Sequence, residues 1–390
     1  MSRILHFADL HLDTTFSHIA SSGRVDQRPR QCLRDCLRRI VDLALEHEVD
    51  AVTIGGDLYE HERRCADTGN FIRDELRRLG NTPVVIAPGN HDPYTPDSLY
   101  RGIGWPANVT VLRRPELESI DVAGDLTIWG AAFTNRYRRD CPLDGLARLS
   151  ANGRTNVLLL HAAIGDPPSD YSPLNAGAVK QAGFALALLG HIHDAGHSRP
   201  EQGLYYPGSP EPLDFSEAGD HYVLLVETGR GALQVQRLPV NRMRFGTLAV
   251  DVGEADSREA IRDMVLRQAE AAGLAGGVVR VRLEGTADAA ADIDLAALRA
   301  GLAPHFSFVD LSDETEPPYD LEREGQGFTT KARFVQRLRA AVDQAASEEE
   351  RQVCEEALVL GLRAFEGKQL FPFQRQGPPG GRASGEGERQ

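Results

Sequence analysis

Gly190-His191-Ile192-His193 closes an apolar run, Phe184 to Leu189, that is bounded by glycines and too short for a helix. The spacing predicts a buried strand ending in His-x-His. Side chains repeat every second residue in a strand, so both imidazoles would leave on one side as a pair of metal ligands. Taken alone, the pair could equally be structural. Other predicted strand ends carry the same kinds of group. Arg3 to Ala8 delivers Asp9-Leu10-His11, a carboxylate and an imidazole on one face. Val49 to Gly55 leads into Gly56-Asp57-Leu58-Tyr59, where the paired glycines allow a tight turn at the strand's mouth. Pro83 to Ala87 delivers Pro88-Gly89-Asn90-His91-Asp92, and Thr155 to Leu160 ends in His161.

Together these ends supply Asp9, His11, Asp57, Asn90, His91, Asp92, His161, His191 and His193. A mixed nitrogen and oxygen set of this kind suits Mn²⁺, Fe²⁺ or Zn²⁺ better than Ca²⁺ or Cu⁺. It is too many ligands for one ion and about right for two. Two ions roughly 3.5–4 Å apart form a clamp for in-line displacement at phosphorus.

The elements that must position these groups read as strand-helix repeats. Helices are predicted from about Arg30 to Glu48, with Leu33, Leu37, Ile40, Val41 and Ala44 at helical spacing, and from about Asp67 to Leu79. Such repeats build an α/β sheet, whose ligands sit at the carboxyl ends of its strands. Further strands are predicted at Val109–Leu112, Ser119–Val122, Leu126–Trp129 and Tyr222–Glu227. From Phe245 to about Asp310 the chain reads as a strand-helix-strand-helix-strand module with no ligand pattern, as in a cap or recognition module. Asp313 to Gly327, with its Glu and Pro content, reads as a linker. Two amphipathic helices follow, striped by Phe334, Leu338, Ala341, Val342 and Ala345 and by Val353, Ala357, Leu358, Leu362 and Phe365. The predicted divisions are a ligand-bearing domain over 1–240, a cap over 241–312, a linker over 313–329, a helical segment over 330–368 and a disordered tail over 369–390.

At 390 residues, 41% hydrophobic and 26% charged, the composition is that of a soluble globular protein of more than one domain. No apolar run approaches the ~18 residues of a membrane helix. The chain enters a strand at Arg3, without a signal peptide ahead of it, and a cytoplasmic location is expected. Cys32, Cys36, Cys65, Cys141 and Cys354 are scattered and imply no disulfide framework. The net charge of −14 argues against a generic nucleic-acid coat protein but not against DNA as a substrate, since metals screen phosphates locally. Arg136, Arg138 and Arg139 could meet a DNA backbone or simply face solvent, and His18 and His61, on loops after ligand strands, could approach the cleft.

Asp9-Leu10-His11, Gly56-Asp57-Leu58-Tyr59, Gly89-Asn90-His91-Asp92, His161 and Gly190-His191-Ile192-His193 resemble, in order, the five blocks of the calcineurin-like metallophosphoesterases. The resemblance runs over roughly residues 1 to 225. It implies a sandwich of two mixed β-sheets flanked by helices, here followed by the small α/β cap and the C-terminal helices. It also implies Asp9, His11 and His193 on a first metal, Asn90, His161 and His191 on a second, and Asp57 bridging both. His91 would not be a ligand but would stabilise or protonate the leaving oxygen, with Asp92 orienting its ring.

Within that superfamily, the block from Tyr206 to Glu217 and the order of domains resemble the SbcD-type DNA exonuclease subunits, including the YhaO-like branch. This implies a DNA repair exonuclease using two divalent ions, Mn²⁺ ahead of Fe²⁺, Zn²⁺ or Mg²⁺, on DNA ends or single strands. Its terminal helices would dock on an SbcC-like coiled-coil ATPase, and a homodimer is left open. Glu60 departs from relatives that have His or Asp there, and His61 lies beside it. Two other readings stay open: a phosphoesterase for cyclic nucleotides, nucleotides or phosphoproteins, which an acidic surface suits, and a non-catalytic scaffold for the ATPase.

Overall fold

A computed structural model describes residues 2–16, 28–122, 124–149, 153–165, 169–229, 232–286, 293–315 and 319–366. His18 and the predicted tail 369–390 lie outside the described residues. The chain divides into two compact units, one over 1–285 and 290–315, the other over 286–289 and 316–390.

Apolar strand segments alternate with amphipathic helices in the first unit: β1 (Ser2–Phe7), α1 (Arg28–Glu46), β2 (Ala51–Ile54), α2 (Ala66–Arg77), β3 (Val84–Ile86), a one-turn α3 (Leu99–Gly102) and β4 (Val109–Val111). There follow β5 (Glu118–Asp121), β6 (Leu126–Gly130), β7 (Thr155–His161), the short pair β8 (Ala163–Ile164) and β9 (Pro173–Leu174), and α4 (Ala176–Ala182). Then come β10 (Leu186–Gly190), β11 (Leu204–Tyr205), β12 (Tyr222–Gly229) and β13 (Ala232–Pro239). One sheet has the order β13-β12-β1-β2-β3-β4, the other β11-β10-β7-β6-β5. Both are mixed: β12 is antiparallel to β1 and β13 in the first, and β5 is antiparallel to β6 in the second. The metallophosphoesterase-type α/β sandwich expected from the sequence is therefore the architecture observed.

The sheets face each other through Ile4, Ala51, Val85, Leu224 and Val226 on one side and Ile128, Val157, Leu159, Leu186 and Leu188 on the other. Leu33, Leu37 and Ile40 of α1 and Ile72 and Leu76 of α2 cover the outer face of the first sheet, which explains their helical spacing. His6 is fully buried between the sheets, its Nδ1 3.0 Å from Thr53 Oγ1 and its Nε2 3.1 Å from Leu189 O. Burial drives its pKa down to about 4, so the ring is neutral and each ring nitrogen is satisfied.

Register places the chemistry. Phe7 pairs with Ile54 and Ile54 with Ile86, so β1, β2 and β3 end at one level. In the second sheet Gly190 pairs with His161. All five ligand-bearing strands thus release their following loops at one edge of the sandwich. A strand not expected from the sequence is β13, in which Gln234 and Gln236 alternate with Leu233 and Val235.

The predicted α/β module is present as β14 (Phe245–Asp251), α5 (Arg258–Ala271), β15 (Val278–Glu284), α6 (Leu295–Leu302) and β16 (Phe308–Asp313), with a parallel sheet β14-β15-β16. Phe245 and Val278 join the core beneath α1, so this module shares packing with the sandwich within the first unit.

In the second unit, the stretch read as a linker contains one helical turn, α7 (Leu321–Glu324), followed by α8 (Thr330–Gln344) and α9 (Glu348–Phe365). The two long helices pack on each other through Val335, Leu358 and Leu362, with Phe334 and Phe365 rings 5.6 Å apart. Ser347 caps α9 by accepting from Glu350 N–H, and three glutamates occupy the first turn where the helix dipole favours them. Val353, placed on the apolar stripe by its spacing, is instead 61% exposed.

Candidate metal centre

The strand ends do not simply continue the strands. Asp9, His11, Asp57 and His191 all have positive φ, at 57°, 49°, 51° and 96°. Such conformations cost non-glycine residues of order 1–3 kcal/mol each and persist where the surroundings over-determine them. Here the first two loops run side by side: Asp9 N–H donates to Gly56 O, His11 N–H to Asp57 O and Leu12 N–H to Leu58 O, at 2.9–3.0 Å. Asp9 and His11, and His191 beside His193, are therefore not placed by strand alternation as expected: Asp9, His11 and His191 lie in left-handed turns beyond the last strand residue.

Two glycines are required by close approach. A Cβ on Gly89 would lie 2.3 Å from Asp57 Oδ1, and one on Gly190 would lie 2.2 Å from Gly55 O.

Asp92 organises the loops. Its Oδ1 accepts from Asp57 N–H at 3.1 Å and Gly89 N–H at 2.6 Å, its Oδ2 from Leu58 N–H at 2.7 Å and Tyr100 O–H at 2.5 Å. Burial, with Asp57 nearby, pushes its pKa up to about 6 against the pull of those donors. With every contact committed to loop backbone and Tyr100, Asp92 does not orient His91, contrary to expectation. That task falls to Glu60, whose Oε2 accepts from His91 Nδ1–H at 3.0 Å.

The imidazoles form a consistent pattern. His11 Nδ1 meets Glu60 Oε1 at 2.8 Å, His193 Nδ1 meets Glu217 Oε1 at 2.7 Å, and His161 Nδ1 meets Gly55 O at 2.8 Å. Each partner only accepts, so each Nδ1 carries a proton and each Nε2 is left to meet a cation, a proton or a metal ion. Those nitrogens converge. His11 Nε2 is 3.2 Å from His193 Nε2 and 3.7 Å from Asp57 Oδ2, while His161 Nε2 is 3.3 Å from Asp57 Oδ2 and 2.8 Å from Asn90 Oδ1. Acceptors facing acceptors repel unless a cation lies among them, and an imidazole backed by a carboxylate or carbonyl at Nδ1 is the usual support of a metal-ligating Nε2. The residues fit divalent ions.

Electrostatics point the same way. Burial opposes charge on His161, yet Asp57 and Asp9 push its pKa up to about 9. His193 likewise rises to about 9 against burial, through Glu217 and Asp9. Asp57 is buried too, but His161, His11 and His91 hold its carboxyl far below the usual range. A pocket that binds protons this tightly on nitrogen attracts cations.

Among the described residues, ligand atoms come within 4.8 Å of one another in three groups: Asp9, His11 and His193; Asp9, Asp57 and His161; and His11, Glu60 and His91. Asp9 belongs to two of them, and both its oxygens also accept from His191 N–H. The His191 ring is outside these groups, tilted against Tyr171 at 4.6 Å and 5.1 Å from the His161 ring. Burial and the neighbouring His161 drive its pKa down to about 3, so it is neutral.

Among the described residues, openings on two sides reach the site. A cleft of about 550 Å³ is lined by His193, Asp194, Ser209, Glu217 and Arg237, and a pocket of about 130 Å³ by Glu60, His61, Asn90, His91 and Arg136. A larger cleft of about 720 Å³, past Trp105 and Arg114, contains none of the convergent residues. Arg136, Arg138 and Arg139 are each paired with an acid, Glu62, Asp140 and Asp170. Glu60 and Glu217 were not identified from sequence as site residues.

Residues 2–195 match the family described as calcineurin-like phosphoesterase. These residues form a calcineurin-like phosphoesterase domain. Such domains hydrolyse phosphoesters at a centre of two divalent metals. The chain is 27% identical to the uncharacterized metallophosphoesterase YhaO of Bacillus subtilis over 67% of its length and 66% of that protein. It is 26% identical to the DNA double-strand break repair protein Mre11 of Methanopyrus kandleri over 87% of its length and 77% of that protein. It also resembles a dimetal phosphatase from Danio rerio at 12% identity and a TM-score of 0.39, over 62% of this chain and 98% of that one. The chain spans just under two thirds of the YhaO relative. Among the described residues, no helix is long and apolar enough to cross a membrane.

Proposed function

We propose that this chain is a Mn²⁺-dependent phosphodiesterase of the SbcD type that degrades DNA from its ends in the cytoplasm. The observation that carries this reading is that His11 Nε2 and His161 Nε2 both face the Asp57 carboxylate while His193 Nε2 meets His11 Nε2. Similarity to Mre11 DNA double-strand break repair proteins directs it toward DNA.

Asp9, His11 and His193 would hold one cation and Asn90, His161 and His191 the other, with Asp57 reaching both. When bound, the two ions supply Lewis acidity at the phosphoryl oxygens and lower the pKa of a water. Within the chain, Glu60 binds the Nδ1–H of His91 and, against burial, raises that ring's pKa, so a proton is available from its Nε2 for the leaving oxygen. At 37% side-chain exposure, His91 is more open than His11, His161 or His193 and can meet a substrate. His191 is neutral and set against Tyr171, with its ring 5.1 Å from that of His161.

Residues 1–240 would supply catalysis, 241–312 a cap and 330–368 the docking segment for an SbcC-like ATPase. Val353 and Phe365, at 61% and 46% exposed, support the last assignment as apolar side chains left for a partner. The net charge of −14 and the acid-paired arginines favour a second reading, a phosphoesterase for nucleotides or other small esters. Incubation with Mn²⁺ and end-labelled linear duplex DNA, a cyclic nucleotide or bis-p-nitrophenyl phosphate separates the two. Release of mononucleotides from linear DNA is expected. Hydrolysis of the small esters with DNA left intact would replace the first reading by the second.

A further inference from the structure

Glu60 occupies a position that the convergent site does not itself require. Its backbone is tied to the first loop by Glu60 N–H donating to Leu12 O, and the next residue is tied to the third loop by His61 N–H donating to His91 O, both at 2.9 Å. The side chain has little freedom. Oε1 lies 2.8 Å from His11 Nδ1 and Oε2 3.0 Å from His91 Nδ1, and the two rings meet edge to face at 4.9 Å. A carboxylate only accepts, so each oxygen selects the Nδ1–H form of one ring and sets that ring's rotation. One ring presents its Nε2 to the convergent acceptors around Asp57. The other lines the small pocket with Asn90 and Arg136.

We infer that Glu60 is a positioning residue that couples cation binding through His11 to delivery of a proton by His91, using one carboxylate for both. This rests on the phosphodiesterase reading above. In the step concerned, a water oxygen bonds to phosphorus, the bond from phosphorus to the leaving oxygen breaks, and the His91 Nε2 proton passes to that oxygen. Glu60 touches neither reactant. It acts through two imidazoles, and a carboxylate is needed because an amide has one accepting oxygen while its NH₂ confronts the second N–H.

The test is Glu60→Gln in the full-length protein, with Glu60→Asp as a shorter carboxylate unable to span both rings and thermal unfolding to verify folding. Calorimetric titration with Mn²⁺ is expected to show affinity weakened by about 10–100-fold, the range for lost partners of ligating histidines. At saturating Mn²⁺, kcat is expected to fall more for thymidylyl-thymidine, which must expel an alkoxide, than for thymidine 5′-p-nitrophenyl phosphate, whose leaving group needs little protonation. Combined with His91→Ala, the Glu60→Gln change should cost no further kcat yet still weaken Mn²⁺ binding. Wild-type Mn²⁺ affinity, or equal losses on the two esters, in a folded variant would overturn the inference. A wild-type protein that hydrolyses neither ester would sink the phosphodiesterase reading instead, while the Mn²⁺ titration would still decide the Glu60–His11 half of the coupling.

Discussion

Turnover of a phosphodiester by His91→Ala is expected to fall by about 10²–10⁴-fold, the usual contribution of a positioned acid or base, while the protein still takes up its metal ions. The split follows from where this ring stands. Its Nδ1 is committed to Glu60, its backbone N–H donates to Asp57 Oδ1 at 2.8 Å, and its edge is open to solvent. Alanine keeps the backbone bond that steadies Asp57 and removes only the ring. Steady-state kinetics at saturating Mn²⁺, beside metal analysis of the same sample, checks it. A variant that hydrolyses DNA at the wild-type rate would remove His91 from the mechanism. One that loses its metal would make the residue a ligand, as its grouping with His11 and Glu60 would permit.

Asp92→Ala should be the most destabilising single change near the site. Four donors, the N–H groups of Asp57, Leu58 and Gly89 and the Tyr100 hydroxyl, would lose their acceptor inside the protein. Each unsatisfied buried donor costs about 1–3 kcal/mol, so a total near or above about 4 kcal/mol is expected from urea denaturation. Tyr100→Phe, which removes one donor and leaves the other three satisfied, should cost only about 1 kcal/mol. The series separates two roles for this aspartate. Had it served to orient His91, alanine would slow turnover and leave stability alone, and that result would restore the role assumed from sequence.

Much of the centre was legible because its residue types are scarce and their order is distinctive. His11, His91, His161, His191 and His193 all follow apolar runs, and the register of β1, β2 and β3 brings the first loops to one edge as the strand-helix repeats implied. What spacing could not convey was conformation beyond the strand. Period-two alternation placed His191 and His193 together, but a left-handed His191 sends its ring to Tyr171 while His193 turns to His11. The supporting carboxylates were hidden for a different reason. Glu60 reaches His11 across 49 positions and Glu217 reaches His193 across 24, so although Glu60 stood out as a departure and Glu217 closed a family-like block, no spacing pointed either one to its histidine. The orienting role that the resemblance implied for Asp92 does not hold, because the chain turns its carboxylate inward to meet Tyr100.

The proposed function rests on a pair of cations that Asp9, His11, Asp57, Asn90, His161, His191 and His193 would hold. The most direct test is inductively coupled plasma mass spectrometry of protein equilibrated with Mn²⁺ and freed of unbound ion, compared with Asp57→Ala. Two manganese ions per wild-type chain, and fewer than one in the variant, is the result expected. A wild-type chain holding less than one ion, or an Asp57→Ala chain holding both, would contradict it.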